Sequence, residues 1–316
     1  FGIFTSSHQV QALGIWRAYF LEPILFFLVL VGQRKNIKSE DLIWFLCLST
    51  VSISILAIIQ KLTGRFYSPT LRPQDILDLH GRVTSFFTTP NAIGLYVAPI
   101  IPLVIYGFKK DKRKLAYLVI ILLALVGIFL SFSEGAWIAL ALGAVLAIFL
   151  TGRKKTVGII MALAILVAIF IVPLRQNLLF QNQSGHNRLV LWNYTWNYLD
   201  KSPKNFIFGA GIKEWFEKVQ KPVNNFTKIE PLIFPHNTFL NFWSEIGLFG
   251  MVSFVLLYIY GLNEAIKKYR SNTSKFFGGA IICMLVIFLV HGLVDVPYFK
   301  NDLSFVWWIL MAVIFI

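Results

Sequence analysis

Residues 114–151 read KLAYLVIILLALVGIFLSFSEGAWIALALGAVLAIFLT, and this stretch decides the fold. Two apolar runs, 115–132 and 135–151, are parted only by Ser133 and Glu134. Lys109, Lys110, Lys112, Arg113 and Lys114 stand before the pair, and Arg153, Lys154 and Lys155 follow it. About 20 predominantly apolar residues are enough to cross the hydrocarbon core of a bilayer as a helix. Backbone at that depth must satisfy its own hydrogen bonds, so each run is expected to be a helix rather than a strand. The pair therefore predicts a transmembrane hairpin with both ends on one side of a membrane.

Working outward, seven further runs have the same character: 15–32, 42–59, 91–108, 157–172, 238–260, 276–293 and 303–316. The reading is an all-α, polytopic transmembrane helix bundle: one integral membrane domain over 1–316 with about nine spans. Several runs are short, so tilt or local thinning of the bilayer is expected. Composition agrees. Of the 316 residues, 57% are hydrophobic and 14% charged, whereas a soluble domain is about 45–50% apolar and about 25% charged. Lipid must be the solvent for much of this chain. The net charge of +14 does not imply a nucleic-acid partner, because the cations sit in short clusters between apolar runs.

Those clusters orient the chain. Alternate loops carry Arg34, Lys35 and Lys38, then the five cations from Lys109 to Lys114, then Arg153 to Lys155, then Lys267, Lys268, Arg270 and Lys275. The opposite short connections, near Ser133 and Pro297, hold only Lys300. Cationic short loops stay on the cytoplasmic side, so this set is expected to be cytoplasmic. Two long connections, 60–90 and 173–237, then fall on the outer side of the membrane. The chain begins at Phe1 with no signal-peptide pattern before it, and reads as a chain that has lost upstream residues.

A connection beyond about 12–15 residues is usually functional or disordered. The 173–237 loop is too rich in Trp, Phe and Tyr to be disordered. Leu189, Trp192, Trp196 and Leu199 mark one face of a helix, with Asn193, Asn197 and Asp200 on another. An amphipathic helix lying in the membrane interface is expected there. Gly209-Ala210-Gly211 marks a turn before a second short helix with Trp215 and Phe216. Arg188 follows Ser184-Gly185-His186-Asn187, which offer N-cap residues. Either it binds a phosphate at a helix N-terminus, or it anchors a headgroup or a loop ion pair.

The strongest local signal is PHNTFLNFWSEIG at 235–247. His236 stands at the outer mouth of a span, where an imidazole meets both water and a membrane-borne substrate. Thr238, Asn241 and Glu245 share a stripe below it, and Glu245 lies about two turns into the bilayer, where an acid is costly. The alternatives are a capping histidine and a structurally bonded glutamate. In the first outer loop, Arg82 precedes Pro90-Asn91, the opening of the third span. It either approaches the same anion as Arg188 or is solvated. His291 and Asp295 close the eighth span, either for substrate or for local hydrogen bonds, and Glu22 follows Arg17 as an ion pair or interface anchor.

Cys47 and Cys283 sit inside apolar runs, far from any CxxC or metal-ligand spacing. There is no DxD, HExxH, Walker loop or GxSxG. Neither a metal nor another cofactor is expected.

Arg82 with Pro90-Asn91, Ser133-Glu134-Gly135-Ala136-Trp137, Arg188 to Trp192, and above all His236-Asn237-Thr238-Phe239-Leu240 with Glu245 and Gly247 resemble the O-antigen ligase/polymerase superfamily. The resemblance covers roughly residues 80–260 in order. It implies a multi-pass membrane glycosyltransferase of a bacterial cytoplasmic (inner) membrane that moves a glycan from an undecaprenyl-pyrophosphate carrier to a glycan, lipid or protein acceptor, on the outer, periplasmic side. By that resemblance His236 is the activating base and Arg188 and Arg82 bind pyrophosphate, with Asn237 and Glu245 completing the substrate-binding set. One departure is plain. The family often has Ser-Arg-Gly in the outer hairpin where this chain has Ser133-Glu134-Gly135, and a carboxylate cannot hold a pyrophosphate.

The chemistry is consistent on its own terms. A pyrophosphate-linked sugar already carries its leaving group, an imidazole titrating near neutrality suits removal of the hydroxyl proton, and fixed guanidiniums stabilise the departing charge. The rival reading is a transporter or flippase for a lipid-linked glycan. Such proteins place charges or broken helices near the midplane; here Pro99 and Pro102 leave room for a broken helix, but span centres carry almost no charge.

Overall fold

The nine apolar runs are helical over their described residues in the computed structural model, which describes residues 1–170, 179–223, 229 and 232–316. Of the expected elements, the end of the sixth run at 171–172 and residues 173–178, 224–228, 230 and 231 of the long loop lie outside the described residues. In chain order the helices are α1 (Gln9–Gly32), α2 (Ser39–Thr63), α3 (Asn91–Lys110), α4 (Lys114–Ser131), α5 (Glu134–Leu150), α6 (Lys154–Phe170), α7 (Gln183–Asp200), α8 (Pro203–Phe208), α9 (Thr238–Arg270), α10 (Lys275–Gly292) and α11 (Asn301–Phe315). Six of them, α1 to α4, α9 and α10, are long and apolar enough to cross a membrane. This is a polytopic, all-helical membrane protein.

Packing divides the chain into two units, each assembled from distant segments. The first comprises Phe1–Glu22, Ile148–Ile259 and Gly292–Val296; the second comprises Pro23–Ala147, Tyr260–His291 and Pro297–Ile316.

The second unit is built on small residues. Lipid tails are as apolar as leucine, so helices in a membrane gain mainly by close packing, which small side chains permit. A methyl group on Gly94 would lie 2.5 Å from the Ala136 Cβ, one on Gly143 2.6 Å from Ile287, and one on Gly127 2.9 Å from the Ser54 hydroxyl. Ala57, Ala92, Ala98, Ala124 and Ala139 join them in a core with Ile93, Val97 and Ile128. Within this core the Gln60 amide organises the outer loop. Its Nε2 donates to the carbonyls of Phe66 and Ser85, and its Oε1 accepts from the N–H groups of Thr84 and Ser85. One buried amide thereby fixes the chain next to Arg82. The rest of the 60–90 connection holds a single short helical turn, Pro73–Leu77, whose Asp75 bonds Arg72.

In the first unit α7 starts earlier than its sequence suggests. Asn182 is the N-cap, its side chain accepting from Gly185 N–H at 2.7 Å, so Ser184 to Asn187 lie within the helix and not before it. The inward face also differs. Leu191, Thr195 and Leu199 are fully buried, while Leu189 and Trp196 are exposed. The selecting contact is Trp215, itself fully buried, whose indole N–H donates to the Thr195 hydroxyl at 2.9 Å. A polar threonine faces inward because the tryptophan needs an acceptor. Leu189 and Trp196 are left outward, alongside the exposed Asn193, Asn197 and Asp200, so the apolar and polar faces expected from the sequence are not segregated on this helix.

Glu214 binds the start of the chain to this core. Its carboxylate accepts from the Ser6 hydroxyl, from Ser7 N–H and from the Ser7 hydroxyl, and Lys218 lies 3.6 Å away. Burial pushes the carboxyl up, but these four interactions outweigh it and hold Glu214 below the ordinary glutamate value. A carboxyl lowered in the fold contributes fully above its unfolded pKa, and the contribution disappears as pH falls through the folded value. Limited proteolysis is expected to cut near Ser7 only in acid for the native chain, and already at neutral pH for Glu214→Ala. Equal cleavage of the two at neutral pH would remove this account.

Candidate functional site

Three consecutive backbone carbonyls in the first unit gather the side chains that the sequence singles out. Leu293 O accepts from Asn237 Nδ2 at 3.0 Å, Val294 O from Arg188 Nε at 3.0 Å, and Asp295 O from the Thr238 hydroxyl at 3.2 Å. The segment follows α10, where the helix has ended and its carbonyls are free to accept from side chains. Residues separated by up to 106 positions are thus set against one short piece of backbone.

His236 has φ 51°, in the left-handed region. A non-glycine residue held there carries local strain, which the surrounding contacts must sustain. Those contacts are visible: Asn237 Oδ1 caps α9 by accepting from Leu240 N–H at 3.1 Å, and Asn237 and Thr238 are both tied to the 293–295 segment. The result aims His236 Nδ1 at Asp295 Oδ1, 3.2 Å away. The Asp295 side chain is 10% exposed and that of His236 26%, so the acid is the inner member of the pair. A carboxylate only accepts, so Nδ1 carries the proton in the neutral ring and Nε2 is left with its lone pair. Asp295 also accepts from Val296 N–H at 2.8 Å, which fixes the carboxylate plane. An imidazole oriented in this way can take a proton from a hydroxyl at Nε2.

Arg188 lies in the second turn of α7. Nε is bound to Val294 O, and Nη1 donates to the Ser184 hydroxyl at 2.9 Å, one turn earlier. A guanidinium has five N–H donors, so two bonds set its plane and the remainder can meet an anion. Arg188 and His236 are both tied to the 293–295 segment, the first through the Val294 carbonyl and the second through the Asp295 carboxylate.

Glu245 sits deeper along α9 and only 2% exposed. Its Oε2 accepts from Lys213 N–H at 2.6 Å, and Lys213 is itself left-handed, with φ 65°. Just beyond it α9 breaks at Gly247, φ 82° and ψ 176°. The break releases the Ser244 carbonyl, which accepts from Ala210 N–H at 2.7 Å and Gly211 N–H at 3.2 Å. A Cβ at Gly247 would meet Ile207 O at 2.5 Å, so both the conformation and the close approach demand glycine. The glycine pair of the long loop therefore docks where α9 is interrupted, and residues 238–246 form a short strut held at both ends.

Arg82 belongs to the second unit. Its Nε donates to Ser131 O at 2.9 Å and its Nη2 to Asn91 Oδ1 at 2.7 Å and Phe132 O at 3.4 Å. The carbonyls come from the end of α4, where Phe132 turns left-handed with φ 49° and leads into the Ser133-Glu134-Gly135 hairpin. Arg82 is thus a positioned side chain. Among the described residues no group of three or more His, Cys, Asp or Glu side chains is arranged to hold a metal ion.

The pairing of Asp295 with His236, and the use of Leu293 and Val294 as a backbone template, are absent from the sequence reading, where Asp295 is left between substrate and local bonding. No spacing signals them, since 59 residues separate the pair.

A family model described as O-antigen ligase matches residues 93–255, a stretch that contains Arg188, His236, Asn237 and Glu245 but neither Arg82 nor Asp295. Among curated proteins, the O-antigen ligase of Salmonella typhimurium (strain LT2) is 31% identical over 185 residues. That match takes in 54% of this chain and 44% of the relative, so the chain spans less than half the length of the curated protein it matches.

Proposed function

The chain belongs to the O-antigen ligase family, and from that premise we propose that it transfers a glycan from an undecaprenyl-pyrophosphate carrier to an acceptor hydroxyl, on the periplasmic side of the cytoplasmic membrane. The observation that carries this reading is the attachment of His236 and Arg188 to the same three residues, Leu293 to Asp295. It sets a base and an anion-binding group side by side.

In the proposed reaction His236 Nε2 takes the proton of the acceptor hydroxyl as its oxygen bonds to the anomeric carbon. The bond from that carbon to the pyrophosphate oxygen breaks, and the lipid pyrophosphate departs with the electron pair. Arg188 stabilises the charge that develops on it, without a metal. Asp295 holds the imidazole in the productive tautomer and stabilises the imidazolium formed. Arg82 is kept as a substrate-binding guanidinium, supported by its fixed orientation on Ser131 and Phe132. Asn237 and Glu245 serve the site as its frame, through their bonds to Leu293 and Lys213. Lipid anchoring confines the donor to the membrane interface, which shortens the search for the productive geometry.

The purified chain, given a lipid-pyrophosphate-linked oligosaccharide and candidate acceptors, is expected to form a glycosidic bond with inverted anomeric configuration and to release the lipid pyrophosphate. Product of retained configuration would exclude the single displacement. Movement of the donor across a vesicle membrane without bond formation would favour translocation instead.

A further inference from the structure

Three helices of the second unit end at one membrane face: α2 begins at Ser39, α3 ends at Lys110 and α4 begins at Lys114. Between these ends lies a cavity of about 350 Å³, lined by Lys38, Glu40, Tyr106, Lys110 and Tyr117, with Asp111 at its rim. Gly107 forms part of the wall, and the Tyr117 ring packs so close to it that a side chain at this position would collide with the ring. Trp44 stands behind, edge-on to Tyr117 at 5.6 Å and with the Arg113 guanidinium 3.8 Å above its ring. Tryptophan and tyrosine gathered at helix ends mark the headgroup level of a bilayer.

The charges of this cavity are unevenly spent. Asp111 is consumed by Arg113, which donates to it through both Nε and the backbone N–H and, with its hydrogen bonds, holds the carboxyl down at about 2. Lys114 is committed to the carbonyls of Phe108 and Lys109, and Lys109 lies over the Phe276 ring at 4.2 Å. Glu40 accepts from the Tyr106 hydroxyl at 3.1 Å through one oxygen and keeps the other. The ammonium groups of Lys38 and Lys110 line the cavity with no ion pair or side-chain hydrogen bond among the described residues. The cavity therefore offers two ammonium groups and one carboxylate oxygen, at headgroup depth, between aromatic walls. Basic pockets between transmembrane helices at a membrane face are a recurrent means of holding phospholipid headgroups.

We propose that this cavity binds a membrane phospholipid by its phosphoethanolamine headgroup, the phosphodiester against Lys38 and Lys110 and the ammonium against Glu40. Both charges of the zwitterion then meet their complements. A choline headgroup has no N–H to donate to Glu40, and a glycerol headgroup has no cation for it. The site stands apart from the glycan chemistry and does not depend on it.

The test is native mass spectrometry of the full chain, delipidated in detergent and then mixed with phosphatidylethanolamine, phosphatidylglycerol, phosphatidylcholine or inorganic phosphate. Phosphatidylethanolamine is expected to be retained most strongly. The exposed pair Lys38→Ala/Lys110→Ala is expected to weaken its binding at least about tenfold, the size of one lost charge-assisted contact. Glu40→Gln keeps an acceptor for Tyr106 and is expected to erase the preference over phosphatidylglycerol while leaving phosphodiester binding. Gel filtration of each variant confirms that it is folded. Equal retention of all three lipids, unchanged binding in the lysine variant, or equally tight binding of inorganic phosphate would each overturn the proposal.

Discussion

Replacing His236 by alanine is expected to abolish glycan transfer while the chain still inserts in the membrane at normal levels. Loss of a general base costs about 10²–10⁴ in rate. The side chain is not part of the packing core: it is 26% exposed, and its one described polar contact is with Asp295. The decisive partner experiment concerns that acid. Asp295→Asn keeps the shape but can present an amide N–H to Nδ1, which favours the wrong tautomer and moves the proton to Nε2. In serine hydrolases the equivalent change costs about 10⁴-fold, so a fall of at least about 10²-fold is expected here. Groups acting as one unit are strongly non-additive. The double variant should therefore be no slower than His236→Ala alone, measured as initial rate with lipid-linked donor in excess. Full additivity of the two losses would show that Asp295 acts elsewhere.

Arg188 is expected to come second in size. Removing one fixed donor from a developing oxyanion costs about 10²–10³-fold, and Arg188→Ala removes the whole guanidinium. The informative variant is Arg188→Lys. Charge is conserved, but a lysine cannot donate to Val294 O and Ser184 Oγ in fixed directions and still present a planar fork to a phosphate. Lysine is therefore expected to recover less than a tenth of the activity that alanine loses. Recovery to near the native rate would mean that Arg188 supplies only a general positive field. Because α7 is held by the packing of Leu191 with Trp215 and by the Trp215–Thr195 hydrogen bond, contacts that neither variant removes, neither should disturb the helix.

Several features of this protein are set by local sequence alone. Each apolar run becomes a helix because, in lipid, only intrahelical bonding satisfies a backbone, and that demand depends on no other part of the chain. The nine runs between basic clusters, the turn at Gly209–Gly211, the helix ending at Asp200 and the prominence of His236 all belong to this class. So does the family, whose matched residues lie in one continuous stretch.

Other features arise only where distant segments meet. Asp295 becomes the partner of His236 because α9 and the end of α10 are drawn together by Asn237 and Thr238. The inward face of α7 is chosen by Trp215, which required an acceptor at Thr195 and so turned Leu189 and Trp196 outward. Gln60 fixes the chain beside Arg82 through backbone groups with no periodic signature. Gly247 breaks α9 because a second backbone, at Ile207, occupies the space where a side chain would stand. Helix formation in a membrane is decided within a single segment, whereas a site made from carbonyls and their donors exists only once those segments have packed.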